Sequence, residues 1–155
     1  MKIFKMLSLV AAVLFAVACG EKGNNPDGPS VGGWDNLEQE WKLVSVDGVA
    51  NDFSVYIKFE SGMFALYQQV YTWDYKFFEG EYSIDGGVLS GTYFEGGEWK
   101  TSYTGGVSED GKYLTLKSKE ETPVTYLYEA CTIPEEVYNE ATATAARSEE
   151  VVPFL

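Results

Sequence analysis

Apolar and polar residues alternate in short runs between about Glu40 and Cys131, and turn signals separate these runs roughly every ten residues. The segment Phe53–Glu60 is the clearest case, because every second residue in it belongs to one apolar face. A period of two is typical of strands that bury one face. Counted through, the pattern predicts eight strands: Glu40–Val46, Phe53–Glu60, Met63–Val70, Tyr75–Ile84, Val88–Phe94, Glu98–Val107, Tyr113–Lys119 and Val124–Cys131.

The connections between the predicted strands are short, and most contain glycine, as at Ser61–Gly62, Asp85–Gly87 and Asp110–Gly111. Short connections join antiparallel neighbours, because a parallel crossover needs a dozen or more residues. Eight such strands would leave two exposed edges unless the sheet closes on itself. We therefore expect an all-β fold, an eight-stranded antiparallel up-and-down barrel whose interior holds side chains or one small ligand. An open sandwich of two sheets is the alternative.

Two strands in this pattern are irregular. Phe77–Phe78 breaks the alternation of the fourth strand, which predicts a bulge or corner near Glu79–Gly80. The last strand is apolar on both faces, so its pattern does not decide whether Tyr126 and Tyr128 or Leu127 point inward.

A short helix is expected after the last strand. Thr132 has the character of an N-cap, Pro134 suits a first turn, and Glu135 completes a capping box. This signature predicts a helix over Glu135–Arg147. The remainder, Ser148–Leu155, is expected to be loose, although it is apolar enough to dock on another part of the molecule.

The first 18 residues have the pattern of an export signal. Positive charges precede an apolar run, Met6–Val17, that is too short to cross a bilayer as a helix. The segment Ala16–Gly20 resembles the lipobox of bacterial lipoproteins, which implies that Cys19 is diacylated and becomes the first residue of the mature chain. Cleavage after Ala18 without lipidation is the alternative.

Residues 20–33 read GEKGNNPDGPSVGG, a composition typical of a flexible tether. We therefore divide the chain into a signal peptide (1–18), a lipidated cysteine with its tether (19–36), a barrel (37–131), and a short helix with a loose tail (132–155). This organisation predicts a protein of the cell envelope, lipid-anchored to a bacterial membrane, either in the periplasm or facing the surface at the outer membrane.

Acidic residues outnumber basic ones by 24 to 11, which gives a net charge of −13. Removal of Lys2 and Lys5 with the signal would leave about −15. Because phosphates are bound through Lys and Arg, this surface argues against a nucleic-acid partner. The charge favours solubility, and a basic protein partner is the alternative use of it.

The sequence contains no histidine, so it lacks Ser-His-Asp and Cys-His nucleophile arrangements and histidine metal sites. Glu79 and Glu81 would share one face of a strand, but a chain with 24 acidic residues produces such a pair by coincidence. Cys131, at the end of an apolar strand, is expected to be a buried small hydrophobe. We therefore expect no catalytic residue, no metal site and no cofactor, and no enzymatic activity.

Aromatic residues are the strongest remaining signal, with eleven Tyr, nine Phe and four Trp. Interior Tyr and Trp bring polar groups that need partners, which suits an amphipathic ligand; a barrel filled by its own rings is the alternative. Tyr71 and Trp73 are expected at the rim, in the loop before the fourth strand. The inward faces give the candidate cavity lining: Trp41, Val55, Ile57, Phe59, Phe64, Leu66, Tyr93, Trp99 and Tyr103.

Four segments together resemble the lipocalin-like domain of small lipoproteins that are abundant in gut anaerobes: Trp41–Ser45, Phe59–Phe64, Leu89–Tyr93 and Cys131–Val137. The resemblance covers about residues 37–140. It implies a lipocalin-like barrel and a membrane anchor.

These observations favour a lipid-anchored protein that binds a small apolar or amphipathic molecule inside its barrel. Two alternatives belong to other classes. An acidic outer face could bind or inhibit a basic protein, or the rim aromatics could capture surface glycans.

Overall fold

The computed structural model describes residues 32–144 and 151–155. The predicted signal peptide, Cys19 and most of the predicted tether lie outside them. Within the described part, no helix is long and apolar enough to cross a membrane. The elements are β1 Glu40–Val46, β2 Val49–Ala50, β3 Ser54–Glu60, β4 Met63–Gln69, β5 Lys76–Asp85, β6 Val88–Tyr93, β7 Gly97–Glu98, β8 Tyr103–Val107, β9 Tyr113–Ser118, β10 Thr125–Ala130 and the helix α1 Glu135–Thr144.

Eight of the strands form a closed antiparallel barrel. Their order is β10-β9-β8-β6-β5-β4-β3-β1, and pairing of β1 with β10 joins the two edges. The short strands β2 and β7 pair only with β1 and β6. Each barrel strand therefore lies beside its neighbours along the chain. The predicted up-and-down barrel is confirmed, and the open sandwich is wrong.

The sixth predicted strand is shorter than expected. The prediction was Glu98–Val107, but β8 begins only at Tyr103. Gly97–Glu98 form the separate short strand β7, and beyond it Trp99 packs its ring into the barrel over Gly91 while its N–H donates to the Gly91 carbonyl at 2.9 Å. A side chain at Gly91 would overlap this ring.

The register of β5 corrects the predicted bulge. Pairing of β5 with β4 and with β6 continues without a shift through Glu79 and Gly80. Phe77 and Phe78 lie on opposite faces, as adjacent strand residues should, and each packs in a different cluster. The irregularity in the barrel is instead in β1, between Leu43 and Ser45.

In the last strand, β10, the side chains of Tyr126 and Tyr128 point inward, and that of Leu127 does not. Tyr128 is fully buried in the interior cluster and Tyr126 packs against that cluster, whereas Leu127 does not belong to it. The hydroxyl groups of both tyrosines are thereby carried toward the inside of the barrel.

The helix α1 packs against the outside of the barrel, on β4 and β5. Ile133, Val137 and Ala141 are buried there together with Tyr56 and Tyr67. This outer cluster also contains half-buried Cys131, as expected for a small hydrophobe. Burial, with a smaller effect of the Glu40 carboxylate, raises the pKa of the Cys131 thiol to about 11.

The start of α1 differs from the predicted capping box. The helix begins at Glu135, so Thr132 lies too far upstream to be its N-cap. The N–H of Ile133 instead donates to Glu40 Oε2 at 2.6 Å, and the Tyr138 hydroxyl donates to Glu40 Oε1 at 2.8 Å. The Glu40 carboxylate of β1 therefore binds one group just before the helix and one group within its first turns.

Residues before β1 close one end of the barrel, which we call the base. The N–H of Gly32 donates to the Val107 carbonyl at 2.7 Å, and Val107 returns a bond to Gly33 at 2.6 Å. Leu37 is buried in the interior cluster and its carbonyl accepts from Trp41 Nε1 at 2.9 Å. Among the described residues, Gly32 and Gly33 of the predicted tether thus already bond to the barrel.

Candidate binding site at the barrel mouth

The opposite end of the barrel, which we call the mouth, is where β4 ends and where β3, β5 and β10 begin. Residues Val151–Leu155, here named the docked segment, enter this end. Leu155 is 2 % exposed and belongs to the interior cluster.

Two interior side chains hold the backbone of the docked segment. Gln68, only 1 % exposed, donates from Nε2 to the Val152 carbonyl at 3.0 Å and accepts from the Phe154 N–H at 2.7 Å. The Tyr93 hydroxyl donates to the Leu155 carbonyl at 3.0 Å in a buried position. The mouth therefore presents both donors and an acceptor to whatever lies in it.

An unbroken series of ring contacts runs through the interior. Centroid separations of successive rings lie between 5.0 and 6.1 Å, and most pairs are edge-to-face, the arrangement that aromatic quadrupoles favour. Phe154 of the docked segment is itself a member. In order, the rings are Phe78, Tyr93, Phe64, Trp99, Tyr103, Tyr126, Phe154 and Phe53.

Two polar atoms of the interior cluster have no hydrogen-bond partner among the described residues. They are the hydroxyl of Tyr128, whose side chain is 0 % exposed, and Nε1 of Trp99. An unpaired buried donor is costly, so such groups in a folded protein call for an explanation. A ligand that brings an acceptor into the interior would satisfy either group.

Burial keeps the interior phenols protonated. It raises the pKa of Tyr93, Tyr103 and Tyr128 above the ordinary value, and it is the largest cause in each case. These hydroxyl groups therefore remain hydrogen-bond donors across the physiological pH range.

All nine residues of the predicted cavity lining are buried in the interior cluster. The structure thus brings them together on the inner face, and their contact with a ligand stays a prediction. Tyr71 and Trp73 lie in the loop between β4 and β5 at the mouth, with 103 % and 94 % of their surface exposed. Glu79 and Glu81 are exposed on the outer face of β5.

Sequence reasoning placed Tyr93 in the lining but missed Gln68, the other side chain that holds the docked segment. Gln68 follows Phe64 and Leu66 at a spacing of two, so the same alternation placed its side chain inside, but a polar residue in that position was not singled out. The segment Val151–Leu155 carried an apolar signal without indicating where it docks. Since its partners are more than 60 residues away along the chain, no local pattern identifies them.

The fold and this site define a small closed antiparallel barrel with an apolar and aromatic interior. No family model and no curated protein matches the chain.

Similar solved structures include an uncharacterized protein from Bacteroides eggerthii (16 % identity, 60 % of this chain and 98 % of that chain, TM-score 0.47). They also include a lipocalin-like protein from Bacteroides uniformis (20 % identity, 62 % and 99 %, TM-score 0.47). A third is described as a REP1-NXSQ fatty acid transporter (12 % identity, 64 % and 98 %, TM-score 0.39).

Proposed function

We propose that the protein binds a small apolar or amphipathic molecule in the interior and mouth of its barrel. The observation that carries this proposal is the fully buried Tyr128 hydroxyl, which lacks a protein partner among the described residues. It lies among aromatic rings that offer apolar contact area, and the Trp99 N–H of the same cluster also lacks a partner there. The binding free energy would come from burial of apolar surface, and these donors would orient a carbonyl, carboxylate or hydroxyl of the ligand.

Native mass spectrometry of residues 20–155, before and after mild organic extraction, tests this function. All elements of the barrel, α1 and the docked segment lie within these residues. The expected result is an additional small-molecule mass that extraction removes. After extraction, a fluorescent long-chain fatty acid or a neutral fluorescent naphthylamine should bind and gain emission.

The variant Tyr128→Phe separates a ligand-binding hydroxyl from a merely structural one. Because the hydroxyl has no protein partner, its removal should leave stability unchanged or raise it by about 1 kcal/mol. Probe affinity should fall about tenfold if the probe carries an acceptor, and should be unaffected for an acceptor-free hydrocarbon probe. Tyr71→Phe, at a fully exposed position, is the matched control. A bare mass in every preparation, with no probe binding, would contradict the proposal.

We further propose that the protein acts at the cell envelope, anchored through a lipid on Cys19. The support is the lipobox-like sequence Ala16–Gly20, which follows an apolar run and precedes the glycine-rich tether. Several acyl chains on one cysteine would hold the protein stably at a membrane, whereas a single chain binds reversibly.

Glycan capture is a second candidate function, and the exposure of Tyr71 and Trp73 favours it. Fully exposed aromatic rings on one loop can stack on sugar rings. The double variant Tyr71→Ala and Trp73→Ala should abolish retention on a glycan array while leaving hydrophobic probe binding intact. Unchanged retention would remove this candidate.

A further inference from the structure

The barrel binds the backbone of the docked segment in the way that a protein binds a peptide ligand. The side-chain amide of Gln68 bonds the carbonyl of Val152 and the N–H of Phe154, the two backbone groups that flank Pro153. Proline has no N–H, so the intervening residue leaves no backbone donor unpaired. These two hydrogen bonds recognise an extended backbone. They do not depend on the side chains of Val152 and Phe154.

The side chains of the docked segment fill distinct positions. Phe154 lies between the rings of Phe53 and Tyr126, at centroid distances of 5.8 and 5.4 Å. Leu155 is buried deeper, among the interior residues, and Tyr93 binds its carbonyl. The mouth thus combines the two backbone hydrogen bonds of Gln68 with one site for an aromatic side chain and a following site for an aliphatic side chain.

The mouth also contains a buried polar side chain that the docked segment satisfies. Gln68 is buried at the mouth, and both of its side-chain hydrogen bonds to described residues go to the docked segment. A buried amide of this kind would be unfavourable in a site built for hydrocarbon only. Its presence indicates a ligand with a peptide-like donor and acceptor.

We infer that the barrel mouth is a binding site for an extended apolar peptide, and that Val151–Leu155 is its resident, exchangeable ligand. The inference rests on the proposed function, because both place a ligand at the mouth, and it names the ligand class that the mouth selects. When the docked segment dissociates from the mouth, a peptide of the same chemistry binds there in its place. This exchange controls access to the interior of the barrel.

Covalent attachment sets the expected strength of competition. The docked segment belongs to the same chain as the barrel, so it competes with a free peptide at an effective local concentration on the order of millimolar. A free peptide with a Kd of about 10 to 100 μM should therefore bind the intact chain roughly ten- to a hundredfold more weakly than a chain without the segment.

The test is fluorescence polarization with the labelled pentapeptide Val-Val-Pro-Phe-Leu against residues 20–150 and residues 20–155. We expect saturable binding to the shorter chain and at least tenfold weaker binding to the longer one. In the shorter chain, Gln68→Leu removes both backbone contacts at similar volume and should weaken binding at least tenfold. The peptide Val-Val-Pro-Ala-Ala, which lacks both anchors, is the matched control and should bind at least tenfold more weakly.

A folded shorter chain that does not bind the peptide, equal binding by both chains, or an unaffected Gln68→Leu variant would each overturn the inference. If residues 20–150 fail to fold, the full-length variant Phe154→Ala with Leu155→Ala replaces them, since it weakens docking without shortening the chain. The fluorescent fatty acid is measured in parallel. Peptide binding without fatty-acid binding contradicts the proposed function alone, whereas fatty-acid binding without peptide binding contradicts this inference alone.

Discussion

The packing of Trp99 depends on the absence of a side chain at Gly91. A Cβ built at Gly91 would lie 2.7 Å from Trp99 Nε1, and closer still to two carbons of the same ring. Trp99 has little freedom to retreat, because its ring is also in contact with Phe64 and Tyr103. The pair therefore behaves as one packing unit, in which the glycine on β6 makes room for the indole.

Gly91→Ala should lower the free energy of unfolding by about 1 to 3 kcal/mol, because overpacking forces the ring and its neighbours to shift. A displaced Trp99 should also move the tryptophan emission to longer wavelength. Urea unfolding followed by fluorescence measures both effects. Thr92→Ala, at the adjacent exposed position of β6, is the control and should change stability by less than about 0.5 kcal/mol. Equal stability of the two variants would contradict this account.

At the scale of the elements, the outer cluster decides how firmly α1 is attached. Val137 faces the barrel and is buried, whereas Asn139 on the same helix is exposed. The helix lies on the outside of the barrel, mainly over β4 and β5, whereas the ladder that joins β1 to β10 closes the barrel without it. Loss of a contact under α1 should therefore affect the helix first and leave the strand ladders in place.

Val137→Ala removes two buried carbon atoms and should cost about 1 to 3 kcal/mol of helix docking. Hydrogen exchange should show faster exchange for the amides of α1, with protection of β3, β9 and β10 maintained. Asn139→Ala should leave the exchange rates unchanged, both for the amides of α1 and for those of β3, β9 and β10. Loss of protection throughout the barrel would show instead that α1 and the sheet unfold as one unit.

The strands were predictable because one-sided burial imposes a period of two, and β1 has the predicted bounds without change. The same period placed the whole candidate lining inside. It failed at Phe77–Phe78, where two adjacent aromatics suggested a bulge, because the sequence does not show that a second apolar cluster lies on the outer face under α1. Docking of Val151–Leu155 on Gln68 and Tyr93 was beyond sequence reasoning, since it is a contact between distant parts of the chain.

For the whole molecule, buried tyrosines make the fold sensitive to alkali. In the unfolded chain, phenols titrate near pH 10. Burial raises the folded-state pKa of Tyr67 to about 12, and raises those of Tyr93, Tyr103 and Tyr128 as well. Above pH 10 the unfolded state therefore releases protons that the folded state retains. The contribution of these phenols to the free energy of unfolding is fully present below pH 10. It is lost as the pH rises from 10 toward 12.

Each buried phenol should contribute a slope of up to about 1.4 kcal/mol per pH unit in this range. We expect the urea midpoint of residues 20–155 to be clearly lower at pH 11 than at pH 9. Tyr128→Phe should reduce the slope, because it removes one of the groups that titrate only on unfolding. A midpoint that is constant over this range would contradict the assignment of these phenols to a dry interior.

Membrane attachment provides a last test at the same scale, because the two cysteines of the sequence have different expected roles. Cys131 is half-buried in the outer cluster and its raised thiol pKa makes it unreactive, whereas Cys19 follows the lipobox-like segment. In a bacterium that processes lipoproteins, Cys19→Ser should abolish both labelling by an alkyne fatty acid and sedimentation with membranes. Cys131→Ser should preserve both. Since the barrel needs neither cysteine for closure, a Cys19→Ser protein that stays acylated would place the anchor elsewhere and remove the basis for the proposed location.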